Sequence, residues 1–517
     1  MSDDKDDLNS LSKNLSLRGL YKSIRNQTPA QKYYDKQLKV LKKLLGGAAH
    51  TAFGSYYYFN AIIAEEDPIS AFQKVVPIHS YEEIRKWWTR ALNGERDVAT
   101  KGRLEYFALS SGTSEGASKY VPVSKAQLTQ FKRQSLKLSL RIALNKEIPA
   151  SIFGKHHLLI GGSMDLNYNG VSYTGDLSGI TQLKIPLWYQ SFSKPGRDVM
   201  RMQWDSKIDN IVRDAKDWNI SIITGIPSWV QIVLERIIEY YHLKNIHELW
   251  PELKVYIHSG VRAEPYFKSI NSLFGEKVYW YESYLASEGF FAFKQSNTAE
   301  GMKLILSDNN FFEFMPFNDH NFDEAGNVKP SAKALTIKDV NVDEDYALLI
   351  TTCSGAWRYL IGDTVRFTNT EKAEIVVSGR TRHFLSVTGE HLSVDNMNKA
   401  IEVVSDKFGF TCNEFTVYAE PKDGRYIHVW YIGCDGVVDN SALKFELDEK
   451  LKELNDDYRV ERNYALKDIE IVTMPNQEFY NFLHRRGKAG GQVKFPRVLK
   501  GELLDAWKRF VNGFSAQ

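Results

Sequence analysis

The 517-residue sequence predicts an α/β protein with a large N-terminal domain, residues 1–379, that contains mixed, mostly parallel sheets, and a small α+β C-terminal domain, residues 380–517. This length exceeds that of one ordinary domain. Apolar runs of strand length recur between about residues 100 and 380, and several end in Gly, Ser or Thr before a helix-like segment: HHLLIGG from 156, ISIITG from 220, KVYIHSG from 254, KVYWYESY from 277 and ALLITT from 347. Buried strands that alternate with helices indicate sheets whose ligands bind beyond the carboxyl ends of the strands.

The N-terminal end is expected to be loose up to about residue 30 and then helical. One helical face carries Tyr34, Leu38, Leu41 and Leu45. Gly46 and Gly47 are expected to end this helix. A basic helix of this kind is compatible with a membrane surface, but a helix docked on the protein core is favoured.

The C-terminal pattern begins after a joint at Val377–His383. Gly409 is expected to end a helix over Val394–Phe408, and the tetrapeptide PKDG from 421 predicts a hairpin turn. A second helix presents one apolar face, formed by Leu443, Leu447, Leu451 and Leu454. These short mixed elements predict a compact α+β domain.

Composition excludes several classes of protein. Hydrophobic residues make up 43% of the chain and aromatic residues 13%, which indicates globular folding. The 66 basic and 64 acidic side chains give no bulk field that would attract nucleic acid or a membrane, so any bound anion must be held locally. Three cysteines without a Cys-x-x-Cys pair support neither a disulfide framework nor a zinc site, and they predict a cytoplasmic location. No apolar run approaches the ~18 residues of a membrane span.

The stretch LSSGTSEGASKYVPVS, residues 109–124, predicts an anion-binding loop after a strand. Gly112 and Gly116 permit close backbone approach, and Lys119 adds positive charge. Hydroxyl donors come from Ser110, Ser111, Thr113 and Ser114. A mobile surface linker is the alternative. The Walker A motif and a placed Gly-x-Gly-x-x-Gly motif are both absent from the sequence, so the P-loop and Rossmann classes are not supported.

The run Ser110-Ser111-Gly112-Thr113-Ser114-x-Gly116-x-x-Lys119 resembles the phosphate loop of the adenylate-forming superfamily. More closely it resembles that of the Gretchen Hagen family, the plant auxin-responsive acyl-acid amido synthetases, and of their bacterial relatives. The resemblance continues downstream in the family's order. In KVYIHSGVRAEP, it implies that Ser259 and Gly260 form a ledge for adenine, although an ordinary turn has the same pattern.

The next matching stretch is YESYLASEG, which resembles the family's Tyr-x-x-Ser-Glu motif at a strand end. The resemblance implies that Tyr284 and Ser287 contact the nucleotide and that Glu288 binds Mg²⁺. The sequence Leu-Ala-Ser-Glu replaces the superfamily's more common Gly-x-Thr-Glu, which favours the amido synthetase branch over acyl-CoA ligases.

Two further stretches complete the match. In WRYLIGDTVRF, the resemblance implies that Asp363 accepts the ribose hydroxyls, while Leu360 stands where many members have a basic residue and Arg358 and Arg366 are near in sequence. We also expect Arg380, at the joint, to bind the nucleotide. GGQVKFPRVLKG resembles the family's Gly-x-Gln-x-Lys-x-Pro-Arg stretch, which makes Lys494 the implied catalytic lysine, with Lys488 and Lys500 as nearby rivals.

The resemblance implies a large adenylate-forming domain with a small mobile lid, and an enzyme that uses ATP and Mg²⁺. It would adenylate a carboxylic acid, release pyrophosphate and transfer the acyl group to an amino acid. Two alternatives remain: an acid:coenzyme A ligase with the same first step, and a nucleotide-binding regulator without turnover. The acyl acid and the amino acid are the expected small-molecule partners, and the oligomeric state is left open. Four aromatic residues would suit a flat acid but are also typical of a core: Trp188, Tyr189, Trp229 and Tyr284.

Overall fold

The computed structural model describes the chain from Gln27 to Asn512 with gaps. The residues outside the description are 1–26, 111–118, 186, 261–262, 264–265, 319, 324–325, 382–383, 386, 391, 435, 437, 487–494 and 513–517. Most of the N-terminal stretch that was expected to be loose lies outside the described residues.

Helices of the described residues precede, cover and follow the sheets. Up to residue 143 they span Pro29–Ala48, Ala52–Tyr56, Phe59–Ala64, Pro68–Val75, Tyr81–Leu92 and Lys125–Ala143. The middle of the chain contributes Leu177–Leu183, Leu187–Gln190, Arg197–Met200, Trp204–Asp214, Pro227–Tyr240 and Phe267–Ser272. The last group is Val394–Phe408, Asn440–Leu454, Asp456–Tyr464, Asn476–Arg485 and Gly501–Asn512.

Strands of the described residues are numbered in chain order. The first ten are β1 Tyr106–Ser110, β2 Lys119–Val123, β3 His156–Leu159, β4 Asn167–Tyr168, β5 Tyr173–Gly175, β6 Ser193–Lys194, β7 Ile220–Thr224, β8 Val255–His258, β9 Tyr279–Ala286 and β10 Gly289–Phe293. The others are β11 Met302–Leu304, β12 Asn310–Pro316, β13 Asp345–Thr352, β14 Tyr359–Asn369, β15 Glu374–Arg380, β16 Phe384–Leu385, β17 Leu392–Ser393, β18 Phe415–Lys422, β19 Arg425–Gly433 and β20 Leu466–Met474.

The largest sheet of the described residues has eleven strands in the order β12-β13-β14-β15-β11-β10-β9-β8-β7-β3-β6. The pairings from β9 to β6 are parallel, whereas those from β12 to β9 are antiparallel. The α/β class with mixed sheets is confirmed, but the expectation that the sheets are mostly parallel is wrong. Short connections such as the two-residue turn between β9 and β10 permit only antiparallel neighbours, since a parallel crossover needs a dozen or more residues.

The first helix, Pro29–Ala48, docks on this sheet as expected. Leu41 and Leu45 are buried, and the Gln37 amide donates to the carbonyls of Leu306 and Asn310 at 2.9 and 3.1 Å. The helix continues through Gly46 and Gly47 to Ala48, because burial of its last turn outweighs the lower helix propensity of glycine. None of the described helices is long and apolar enough to cross a bilayer.

The C-terminal part has its own core beneath the sheet β18-β19-β20. The helix Val394–Phe408 has the predicted bounds, and Leu443, Leu447, Leu451 and Leu454 are buried as predicted. The hairpin turns at Asp423 and Gly424, both at positive φ, so the PKDG prediction is also confirmed.

Candidate active site

Two predicted stretches meet at one edge of the large sheet. β7, β8 and β9 are parallel neighbours, so their carboxyl ends lie at the same edge. Ser259 and Gly260 directly follow β8. Ser287 and Glu288 form the two-residue turn after β9. The structure therefore places the ledge and the Ser-Glu stretch at the same edge of the sheet.

The ledge after β8 depends on glycine. Gly260 has a φ of +89°, in the left-handed region that side chains disfavour. A Cβ atom there would also lie 3.3 Å from Cγ1 of Ile226. The Ser283 hydroxyl donates to the His258 carbonyl at 3.3 Å and ties the end of β8 to β9. Position 260 thus offers bare backbone at the sheet edge, with Ser259 half-buried beside it.

A buried carboxylate joins three strands. Tyr284 Oη donates to Asp363 Oδ2 at 2.6 Å, and Arg380 Nε lies 3.0 Å from Asp363 Oδ1. Asp363 and Arg380 are paired residues of β14 and β15. Three strands separate β14 from β9 in the sheet, so a flat sheet would hold them about 19 Å apart, four spacings of about 4.8 Å. The sheet must therefore curve strongly to bring Tyr284 to Asp363.

Glu288 lies in the same electrostatic neighbourhood and is buried, with 7% of its surface exposed. Burial raises the pKa of its carboxyl above the ordinary value, Asp363 raises it further, and the positive charges of Lys119 and Arg380 oppose both effects. A nearby cation would therefore stabilise the ionised form of this side chain.

The serine-rich loop connects β1 to β2. Ser110 ends β1 and pairs in register with Lys119, the first residue of β2. Ser111, Gly112, Thr113 and Ser114 lie outside the described residues. The Lys119 ammonium lies 5.3 Å from the centre of the Tyr81 ring, and its charge acts on Glu288. The exit of the loop is therefore close to the turn that carries Glu288.

Lys494 also lies outside the described residues, but the chain that follows it is anchored to the C-terminal domain. Phe495 is buried, and the Pro496 carbonyl accepts the Thr416 hydroxyl at 2.8 Å. Val417 on β18 exchanges backbone hydrogen bonds of 2.9 and 3.0 Å with this segment. Any motion of the C-terminal sheet therefore carries the segment after residue 494 with it.

Several side chains that were considered as ligand contacts have partners elsewhere in the protein. The Trp229 indole donates to Glu461 at 3.2 Å, and the Tyr189 hydroxyl bonds to His157. The side chain of Trp188 lies outside the description. Of the four aromatic residues that were expected to suit a flat acid, the structure places Tyr284 at the sheet edge described above.

The two arginines near Asp363 in sequence also point elsewhere. Arg358 is buried and donates to Glu313 at 3.1 Å. Arg366 forms a bidentate pair with Asp345 at 3.0 and 2.8 Å. Arg380 is the arginine that contacts Asp363 in the described structure.

Sequence reasoning missed two buried polar residues. Glu390 accepts the backbone N–H groups of Val387, Thr388 and Gly389, the Thr388 hydroxyl and His428 Nε2, which together lower its pKa to about 2. His428 is 38 residues away, so no local pattern announces this pair. Gln127 donates to the Ser287 carbonyl at 2.9 Å. The sequence signal for it was a row of glutamines on one helical face, Gln127, Gln130 and Gln134.

Three models of one family match the chain in order. They are the GH3 family N-terminal domain at residues 27–165 and 157–278, the central domain at residues 303–378 and the C-terminal domain at residues 395–502. Together they cover most of the chain.

Similar proteins come from the same family. An indole-3-acetic acid-amido synthetase, GH3.4 of Arabidopsis thaliana, is 24% identical over 90% of this chain and 89% of its own length. A 4-substituted benzoates-glutamate ligase, GH3.12 of the same plant, is 21% identical over 86% of this chain and 90% of its own. The solved structure of the GH3.15 acyl acid amido synthetase covers 94% of both chains, with a TM-score of 0.58 and 18% identity. This likeness supports a shared fold.

Proposed function

The chain belongs to the GH3 family, and we propose that it is an ATP-dependent acyl-acid amido synthetase. The predicted family, the α/β class and the ligase activity are confirmed. In the proposed reaction a carboxylate attacks the α-phosphorus of ATP, a P–O bond breaks and pyrophosphate leaves. The amine of an amino acid then attacks the acyl carbon of the adenylate, AMP leaves and an amide forms.

One observation carries the assignment of the nucleotide site: Asp363, held by Tyr284 and Arg380, lies close to Glu288, which shares a sheet edge with Gly260. In our proposal the ledge at Ser259 and Gly260 receives adenine. Asp363 accepts the ribose hydroxyls, and Tyr284 and Arg380 fix the direction of its carboxylate. Ser287 is proposed to contact the nucleotide from the adjacent turn.

Mg²⁺ is the cation that we propose for Glu288. Magnesium in nucleotide sites is usually held by one or two carboxylates together with substrate phosphates. Among the described residues, no group of three or more His, Cys, Asp or Glu side chains could hold a metal ion by itself. The raised pKa of Glu288 fits a buried carboxylate whose ionised form would be stabilised by a bound cation. When bound, Mg²⁺ would neutralise charge that develops on the phosphates.

Two further parts of the proposal involve segments outside the description. The loop from Ser110 to Lys119 would hold the phosphates through backbone N–H groups, hydroxyls and the lysine charge. Lys494 would add one aligned cation during adenylation. We propose that the C-terminal domain, from about residue 380, turns as a lid between the two steps. The cytoplasmic location stays a prediction of the cysteine pattern.

The function is tested by product analysis. The purified protein is incubated with ATP, Mg²⁺, a panel of aromatic acids and either a mixture of amino acids or coenzyme A. Aromatic acids come first because the named substrates of GH3.4 and GH3.12 are of that class. We expect acid-dependent pyrophosphate release and a product whose mass equals acid plus amino acid minus water. A thioester alone would instead identify a coenzyme A ligase, and ATP binding without pyrophosphate release from a wide panel would identify a regulator.

A further inference from the structure

The helix Lys125–Ala143 buries three glutamines. Gln127, Gln130 and Gln134 each have at most 1% of their surface exposed. Burying an amide without hydrogen bonds lowers the stability of the fold. The hydrogen bonds of each glutamine therefore indicate which part of the structure it holds in place. Gln134 donates to Asp308 Oδ2 at 2.7 Å, whereas Gln127 reaches the turn that carries Glu288.

Gln127 belongs to a closed hydrogen-bonded ring. Its side-chain nitrogen donates to the Ser287 carbonyl at 2.9 Å, and its side-chain oxygen accepts the Ser354 hydroxyl. The Ser354 and Ser124 hydroxyl oxygens lie 2.9 Å apart, and the Gln127 backbone N–H donates to Ser124 Oγ at 3.2 Å. With both its atoms engaged, the Gln127 amide has one orientation.

The bond to Ser287 acts directly on Glu288. The Ser287 carbonyl and the Glu288 N–H belong to one planar peptide group, so a hydrogen bond to that carbonyl oxygen fixes the plane from which Glu288 departs. Ser287 and Glu288 are the two residues of a tight turn. The turn itself therefore leaves their peptide group little freedom to rotate.

The other end of the ring is attached to the serine-rich loop. Ser124 directly follows β2, the strand that leaves the loop at Lys119, and caps the helix that carries Gln127. We propose that Gln127 is a positioning residue, which sets Glu288 at a fixed place relative to the exit of this loop. The inference rests on the proposed metal-binding role of Glu288.

Metal binding that is measured without turnover tests the inference. Titration of Mn²⁺ in the presence of a non-hydrolysable ATP analogue, followed by electron paramagnetic resonance, gives a dissociation constant independent of catalysis. Gln127→Met keeps the length of the side chain and removes its hydrogen bonds. Since such bonds contribute about 0.5–1.5 kcal/mol each, we expect Mn²⁺ to bind roughly three- to tenfold more weakly. The KM for the acid should stay within twofold.

Gln134→Met is the matched control, because this equally buried glutamine of the same helix contacts Asp308 instead of the turn. It is expected to change the Mn²⁺ dissociation constant less than twofold. Ser354→Ala removes the support of the Gln127 oxygen and should weaken Mn²⁺ binding by a smaller factor. It serves as the test if Gln127→Met does not fold.

Glu288→Gln distinguishes failure of the positioning role of Gln127 from failure of the proposed metal-binding role of Glu288. If Glu288→Gln weakens Mn²⁺ binding while Gln127→Met and Ser354→Ala do not, the positioning role is overturned. An equal effect of Gln134→Met also overturns it, since the cause would then be a general loosening of the helix. If Glu288→Gln leaves Mn²⁺ binding unchanged, the metal role in the proposed function fails, and the inference fails with it.

Discussion

Replacing Asp363 by Asn tests the proposed nucleotide site with a change of one atom. A carboxylate has two oxygens and about four acceptor positions. Tyr284 uses one position on Oδ2 and Arg380 uses one on Oδ1, so two positions remain for two ribose hydroxyls. The Asn amide has a single acceptor oxygen, and its NH₂ group would face a donor. We therefore expect the variant to lose the proposed ribose contacts even when the fold is kept.

The expected magnitude follows from these contacts. Hydrogen bonds to a charged group contribute about 1.5–3 kcal/mol each, and neighbouring losses do not add fully. We expect ATP binding to weaken by about 2–3 kcal/mol, or roughly 30- to 150-fold. Tyr284→Phe removes the bond to Oδ2 but keeps the carboxylate, so we expect a loss of about 1 kcal/mol, or roughly fivefold.

The assay is acid-dependent pyrophosphate release at varied ATP with saturating acid and Mg²⁺, supported by calorimetric titration of ATP. Asp345→Asn is the control, because Asp345 also pairs with an arginine, Arg366, but its side chain is 34% exposed and lies in a partly solvated ion pair. Its KM for ATP should stay within twofold of the wild-type value. An Asp363→Asn enzyme with an unchanged KM for ATP would refute the ribose assignment, and so would an equal effect of both variants.

Three more predictions concern the C-terminal domain. Lys494→Ala should lower acid-dependent pyrophosphate exchange roughly a hundredfold, the cost of removing one aligned donor, while ATP binding persists; unchanged exchange would reject that role. Glu390→Gln should lower the free energy of unfolding at pH 7 by about 3 kcal/mol, because the fold lowers the pKa of the Glu390 carboxyl from its ordinary value of 4.5 to about 2. Because the folded pKa is the lower one, chemical unfolding should show this difference above about pH 4.5 and lose it towards pH 2; a difference that grows on acidification would contradict the reasoning. Burial raises the pKa of Glu461 above its ordinary value of 4.5, so Glu461→Gln should stabilise the protein relative to the wild type as the pH rises above about 4.5. Identical unfolding curves for this variant and the wild type at pH 8 would exclude that cost.

Local sequence patterns predicted the positions of individual strands and helices, because burial and helix or strand geometry act over a few neighbouring residues. Apolar runs marked β7 and β8 and the strand ends that hold Ser259 and Gly260, because burial imposes a strand-length pattern on the sequence itself. The pairing direction of the outer strands depends on connection lengths, which apolar runs do not reveal. The contact of Tyr284 with Asp363 depends on the curvature of the sheet across three intervening strands, and curvature leaves no mark in either stretch.

Glu390 and Glu461 give a second example of a property that sequence patterns cannot predict. Both carboxyls are buried, and the charge of Glu390 helps to raise the pKa of Glu461, yet the pKa of Glu390 itself is lowered. The difference lies in the number of donors. Glu390 receives three backbone N–H groups, a hydroxyl and His428, whereas Glu461 accepts from Trp229, and its second oxygen has no hydrogen-bond partner in the described structure. Donors of this kind come from a tight turn and from distant strands, so the charge state of a buried glutamate follows from the fold around it and not from its sequence neighbours.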